Sequence, residues 1–258
     1  MKKLLLLGAL ALLALPAFAQ PPTVVRFGVE SGYAPFEIKL PDGKLAGFDI
    51  DLGEALCVQM GVKCEWVENP FDSMIPALLA KKFDGILSAF SVNEQRKKQV
   101  AFSDKLYHTP GALVVQAGSG LKATAESLHG KSIGVQQGTT YETFGRKYWA
   151  PKGVTIVTYQ TADLARADLV AGRLDGVADN AAVLQDNFLS RPEGKAYAFT
   201  SPYITDPEIF GHGTAIGLRK EDTDLLQRLN KAIAEIRKNG TYERLARKYF
   251  TFDPYGSD

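Results

Sequence analysis

Short β-rich apolar runs alternate with helix-patterned stretches from residue 24 to residue 249. That alternation restricts the chain to an α/β fold with mainly parallel sheets, because parallel neighbours need a crossover and a helix usually supplies it. Residues 24–29, 62–67, 85–90, 132–136, 154–159, 174–178 and 215–218 read as strands. Residues 48–60 place Ile50, Leu52, Ala55, Leu56 and Met60 on one helical face, with Asp49 or Asp51 as start cap and Gly61 as stop. Further helical patterns begin at Asp72 and Gly138 and cover 163–171, 181–189, 222–238 and 242–249, while Asp42-Gly43 marks a hairpin. The stretch Ala80-Lys81-Lys82-Phe83-Asp84-Gly85-Ile86 is echoed by Ala171-Gly172-Arg173-Leu174-Asp175-Gly176-Val177. Each is a helix end, an Asp-Gly turn and a strand, which suggests two similarly built lobes.

The start of the chain follows another logic. Met1, Lys2 and Lys3 are followed by about a dozen apolar residues, too few to span a bilayer, and then by Ala17-x-Ala19. This pattern reads as a signal peptide, residues 1–19, cut after Ala19; the alternative is a membrane anchor. Removing Lys2 and Lys3 takes the formal net charge from +1 to −1. A chain so near neutrality lacks the basic face that nucleic acid requires, so none is expected as a partner. Cys57 and Cys64, close together in an exported chain, read as a disulfide worth about 2.5 kcal/mol, with two buried thiols as the alternative. His108, His129 and His212 lie far from them in sequence, so no metal site or cofactor is expected.

Ligands of open α/β sheets bind beyond the carboxyl ends of strands. Four segments fall there: 30–33, 88–91, 136–140 and 179–180. Ser88, Ala89 and Ser91 end an apolar run and lead to Arg96, whose planar fork of donors matches a carboxylate. Thr139 and Thr140 open a helix, where free N–H groups favour an anion, and plain capping by Thr139 is compatible with that role. Asp179 and Asn180 offer oxygens to an ammonium group, or simply cap the next helix. Tyr33 and Phe71 can sandwich an aliphatic side chain, or serve as ordinary core aromatics. Glu30 can meet a distal cation or be a surface charge, and Arg96 could belong to a solvated polar turn. Together they suggest capture of a small anionic or zwitterionic solute.

Several of these segments resemble the periplasmic amino-acid-binding proteins of ABC importers, solute-binding protein family 3, and in particular the lysine/arginine/ornithine and histidine binders. The marks are Tyr33-Ala34-Pro35-Phe36, Gly47-Phe48-Asp49-Ile50-Asp51-Leu52-Gly53, the Cys57/Cys64 loop, Phe71-Asp72, Phe102-Ser103-Asp104, Gly217-Leu218-Arg219-Lys220 and Gly240-Thr241-Tyr242. The resemblance covers residues 24–256 and implies a two-lobed type II fold. Residues 20–108 with 211–258 would form one lobe, and 109–210 the other, with hinge strands at its ends. It implies that Arg96, helped by the Ala89 backbone, Thr139 and Thr140, holds an α-carboxylate, and that Ser91 accepts from the ammonium. Tyr33 and Phe71 would flank the side chain, and Glu30, Ser88 and Gln136 would line its distal end.

Three positions depart from the family pattern. Glu30 stands for an aspartate, Tyr141 for a glutamine, and Asn180 for the aspartate that meets the ammonium, with Asp179 one step earlier. The implied protein is a periplasmic monomer that captures arginine, lysine, ornithine or histidine and passes it to an ABC permease in the inner membrane. Opine and glutamine binders are alternatives. A cyclohexadienyl-dehydratase-like enzyme would need a positioned general acid, and the sequence offers no His–carboxylate pair, so no enzyme is expected.

Overall fold

The structure is a computed structural model that describes residues 23–256. The N-terminal apolar run and the expected cut after Ala19 lie outside the described residues. Two five-stranded sheets organise the rest, and the body built on each is a lobe. The first sheet runs from edge to edge as Lys63–Glu68, Val24–Val29, Gly85–Ile86, Gly217–Leu218 and Ala101–Phe102. The second runs as Tyr197–Ile204, Gly111–Gln116, Gly176–Asn180, Ser132–Gln136 and Thr155–Tyr159.

Each sheet is mixed rather than mainly parallel. The strand Val24–Val29 pairs in parallel with both of its neighbours, but Gly217–Leu218 is antiparallel to its own. In the second sheet, Gly111–Gln116 is antiparallel to both neighbours, and the other pairings are parallel. The reason is topological. The chain leaves the first sheet after Phe102, enters the second at Gly111, leaves it after Ile204 and rejoins the first at Gly217. The strand by which the chain enters a sheet at each crossing, Gly111–Gln116 or Gly217–Leu218, runs opposite to the others.

The sequence echo has a structural counterpart. Asp84 and Asp175 precede the central strand of each sheet. Asp84 accepts from the Arg26 amide at 3.0 Å and Asp175 from the Ser132 amide at 2.9 Å. Each carboxylate thereby fixes its strand against the start of a parallel neighbour. Gly28 must be glycine, because the Phe83 ring stands 2.5 Å from where a Cβ would be.

The helix Phe48–Met60 buries Phe48, Leu52, Leu56 and Cys57 and stops at Gly61 in the left-handed region. Cys57 is disulfide-bonded to Cys64 on the adjoining edge strand. Neither Asp49 nor Asp51 caps the helix, since the start residue is Gly47 without a side-chain bond. Asp49 is instead fully buried, with its Oδ2 accepting from the Ala89 amide at 2.8 Å. Asp51 accepts from Lys248 Nζ and the Tyr249 hydroxyl, both at 2.7 Å, tying this helix to Thr241–Tyr249. Around them Phe36, Phe48, Tyr107, Tyr242 and Phe250 form the aromatic centre of the first lobe. Two apolar clusters cover the second sheet, one containing Leu113, Ile133 and Trp149, the other Val114, Leu169 and Phe188.

Candidate functional site

The strand Gly85–Ile86 is shorter than the apolar run suggests because the chain turns away at Ala89, whose φ of 44° lies in the left-handed region. That turn aims residues 88–91 at the gap between the lobes. From the second lobe come Gln136 at a strand end and Thr139, which caps the helix Thr140–Phe144 by accepting from Glu142 N–H at 3.2 Å. The resulting cleft is tightly closed and is lined by Glu30, Tyr33, Phe71, Ser88, Ala89, Ser91, Arg96, Gln136, Thr139, Thr140, Tyr141 and Asn180.

Arg96 dominates its electrostatics. The residue is 7% exposed, and its guanidinium donates to two carbonyls, Ser91 O at 2.9 Å in its own lobe and Gly138 O at 3.2 Å across the gap. Its planar face lies 4.1 Å from the Phe90 ring centre. None of these partners is an anion, and burial pulls its pKa down to about 10. Glu30, also in the cleft, accepts from Gln136 Nε2 at 2.6 Å and from the Phe71 amide at 3.3 Å. Burial raises its pKa, opposed by those two hydrogen bonds. One cleft thus holds a cation without an anion and an anion without a cation.

The lobes touch closely. A Cβ on Gly138 would lie 2.8 Å from Asp72 Cα in the other lobe, and Gly138 has φ +77°. Two further placements refine the sequence reading. Ala89 lines the cleft, but its amide is taken by Asp49, so it offers no N–H to a ligand. Asn180 lines the cleft and Asp179 does not. Asn180 Oδ1 caps Ala182 at 2.9 Å and its Nδ2 reaches Thr109 Oγ1 at 2.5 Å. Asp179 Oδ1 accepts from the Tyr33 hydroxyl at 2.5 Å.

Tyr141, which the resemblance sets in place of a glutamine, is a buried wall residue of the cleft. Behind Ser88 and Ala89 lie the fully buried carboxyl groups of Glu37 and Asp49, a pairing with no signal in the local sequence. Burial holds both pKa values up, Asp49 to about 6. Among the described residues no group of His, Cys, Asp and Glu could hold a metal, and no helix is long and apolar enough to cross a membrane.

The sequence profile of the bacterial extracellular solute-binding proteins, family 3, matches residues 25–252. The chain belongs to that family. This family 3 protein is 50% identical to the histidine-binding periplasmic protein of Escherichia coli, over 99% of this chain and 100% of the relative. It is 47% identical to the L-arginine-binding protein of Pseudomonas aeruginosa, with both chains fully covered. Among solved structures, an ancestral arginine-binding protein bound to arginine superposes with a TM-score of 0.83 at 34% identity, covering 89% of this chain and 99% of that one. The two-lobed α/β architecture of family 3 is therefore shared over most of the described chain.

Proposed function

We propose that this protein is a periplasmic receptor for a basic L-amino acid, with arginine, lysine, ornithine and histidine as the candidate ligands, and that it delivers the solute to an ABC permease. The observation that carries this reading is the pair of opposite, uncompensated charges in one closed cleft. Arg96 would take the α-carboxylate, with Thr139 and Thr140 beside it. Tyr33 and Phe71 would flank the aliphatic stem, and Glu30, with Gln136 and Ser88, would meet the distal cation. The ammonium would be met by Ser91 and by Asn180, a neutral acceptor. Binding names among the relatives, histidine and L-arginine, support the basic class.

In this reading the chain is cut after Ala19 and works as a monomer without nucleic acid. Residues 20–108 and 211–258 form one lobe and 109–210 the other. The ligand favours the closed state by contacting both lobes, and the permease reads that state. The neutral Asn180 favours one second reading, an opine, whose substituted amine depends less on a full negative charge. A thermal-shift screen of the twenty amino acids, ornithine and opines tests both. A ligand at 100 times its Kd adds about 2.7 kcal/mol to apparent stability. Basic amino acids should give the largest shifts. Equal shifts from aspartate or leucine would end the proposal.

A further inference from the structure

Asp179 is 2% exposed yet outside the cleft lining, and the binding scheme above gives it no ligand to hold. Its surroundings supply another role. Oδ1 accepts the Tyr33 hydroxyl at 2.5 Å and the Asn180 amide at 2.8 Å. Oδ2 stands 3.8 Å from Nη1 of Arg166, itself 4% exposed and paired with Asp163. The carboxylate is therefore a fixed acceptor, held from within the second lobe.

The donor is equally fixed, from the first lobe. The Tyr33 amide donates to Glu37 O at 2.7 Å, its carbonyl accepts from Phe36, and its ring stacks on that of Phe36 with centres 6.3 Å apart. A hydroxyl bound to one lobe thus meets a carboxylate bound to the other in a charge-assisted hydrogen bond. Of the other inter-lobe bonds, Gln136 to Glu30 and Arg96 to Gly138 O use groups that face the cleft and that a solute would engage, while Asn187 to Gly32 O at 3.4 Å and Asn93 to Ile209 O at 3.1 Å join neutral groups. The Tyr33–Asp179 bond surrenders nothing to a solute, because its acceptor lies behind the wall.

We infer that Asp179 is a positioning residue that latches the lobes through the Tyr33 hydroxyl, setting how far the empty protein is closed and how slowly it reopens around a solute. The latch itself does not depend on the ligand assignment; only its effect on solute release rests on that reading.

The test compares wild type with Tyr33→Phe, Asp179→Asn and the double variant. Small-angle scattering without any ligand reports the closed fraction, and stopped-flow fluorescence reports arginine dissociation. Each single variant should open the unliganded protein, and should raise the arginine dissociation rate roughly tenfold, the loss expected for one charge-assisted hydrogen bond. The double variant should match the singles, since they remove one shared bond. Tyr33→Phe decides the matter if Asp179→Asn fails to fold, because it keeps the ring and leaves Asp179 with Arg166. Unchanged scattering in Tyr33→Phe overturns the latch, as do losses that add in the double variant. So does an Asp179→Asn variant that loses arginine while staying closed, which would make Asp179 a ligand contact. If wild type bound no amino acid, the proposed function would fail while the scattering still decided the latch.

Discussion

Replacing Arg96 by methionine should separate binding from stability. The Arg96 pKa falls from 12.5 to about 10 through burial. That depression corresponds to about 3 kcal/mol of unfavourable solvation borne by the empty protein at neutral pH. Two carbonyl hydrogen bonds and the Phe90 face return a similar amount, at about 1 kcal/mol each. Methionine fills much of the same space without needing a partner. The melting temperature of the unliganded variant should stay within about 4 °C of wild type, the shift expected for roughly 1 kcal/mol in a chain of this size. Binding should respond very differently. A ligand carboxylate buried without its cation costs about 3–5 kcal/mol, which weakens affinity by roughly two to three and a half orders of magnitude. Calorimetry of arginine binding and scanning calorimetry of the empty protein make the comparison. Affinity within tenfold of wild type would refute the carboxylate assignment. A fall of more than about 10 °C in the empty protein would show that Arg96 is a structural cross-link.

Glu30→Gln should weaken arginine or lysine about tenfold and glutamine by less than about threefold, since only the first two present a charge to it; titration calorimetry that finds equal losses removes Glu30 from specificity. Gly138→Ala places a methyl against Asp72 at a positive φ. Saturating arginine should then fail to compact the protein in scattering, and full compaction would show that the close approach is not needed for closure. Glu37 and Asp49 bind protons more tightly folded than unfolded, so their stabilisation is complete below about pH 4 and is lost as pH rises above that, through about 6 for Asp49. The unfolding free energy of Glu37→Gln relative to wild type should therefore climb between pH 4 and pH 7, by an amount on the order of 1–3 kcal/mol, in denaturant titrations; a flat difference across that range excludes the buried proton.

What the sequence made legible was local. Gly61 stops its helix because a left-handed residue favours glycine, and the Asp-Gly echo marks equivalent central strands. The cleft residues were readable because strand ends carry ligand sites in α/β sheets. Long-range pairing was not readable. Gly111–Gln116 is a plain apolar run and Tyr197–Ile204 is interrupted by Pro202, and neither reveals that they pair with each other antiparallel at the crossing. Asp49 has the composition of a helix-start acid, but a tertiary partner, the Ala89 amide, turns it inward. Asp179 and Asn180 are adjacent in a strand, where successive side chains take opposite faces. Sequence alone could not say which of the two meets the cleft, and the fold gives it to Asn180.

The first and last described segments belong to the same lobe. Val24–Val29 and Gly217–Leu218 share a sheet, and Asp51 grips Lys248 and Tyr249. The half between the crossings is therefore an insertion into the first lobe. A dye pair placed near Val24 and near Tyr249, both in the first lobe, would report nothing of the angle between the lobes. A useful sensor needs one of its labels inside the inserted half.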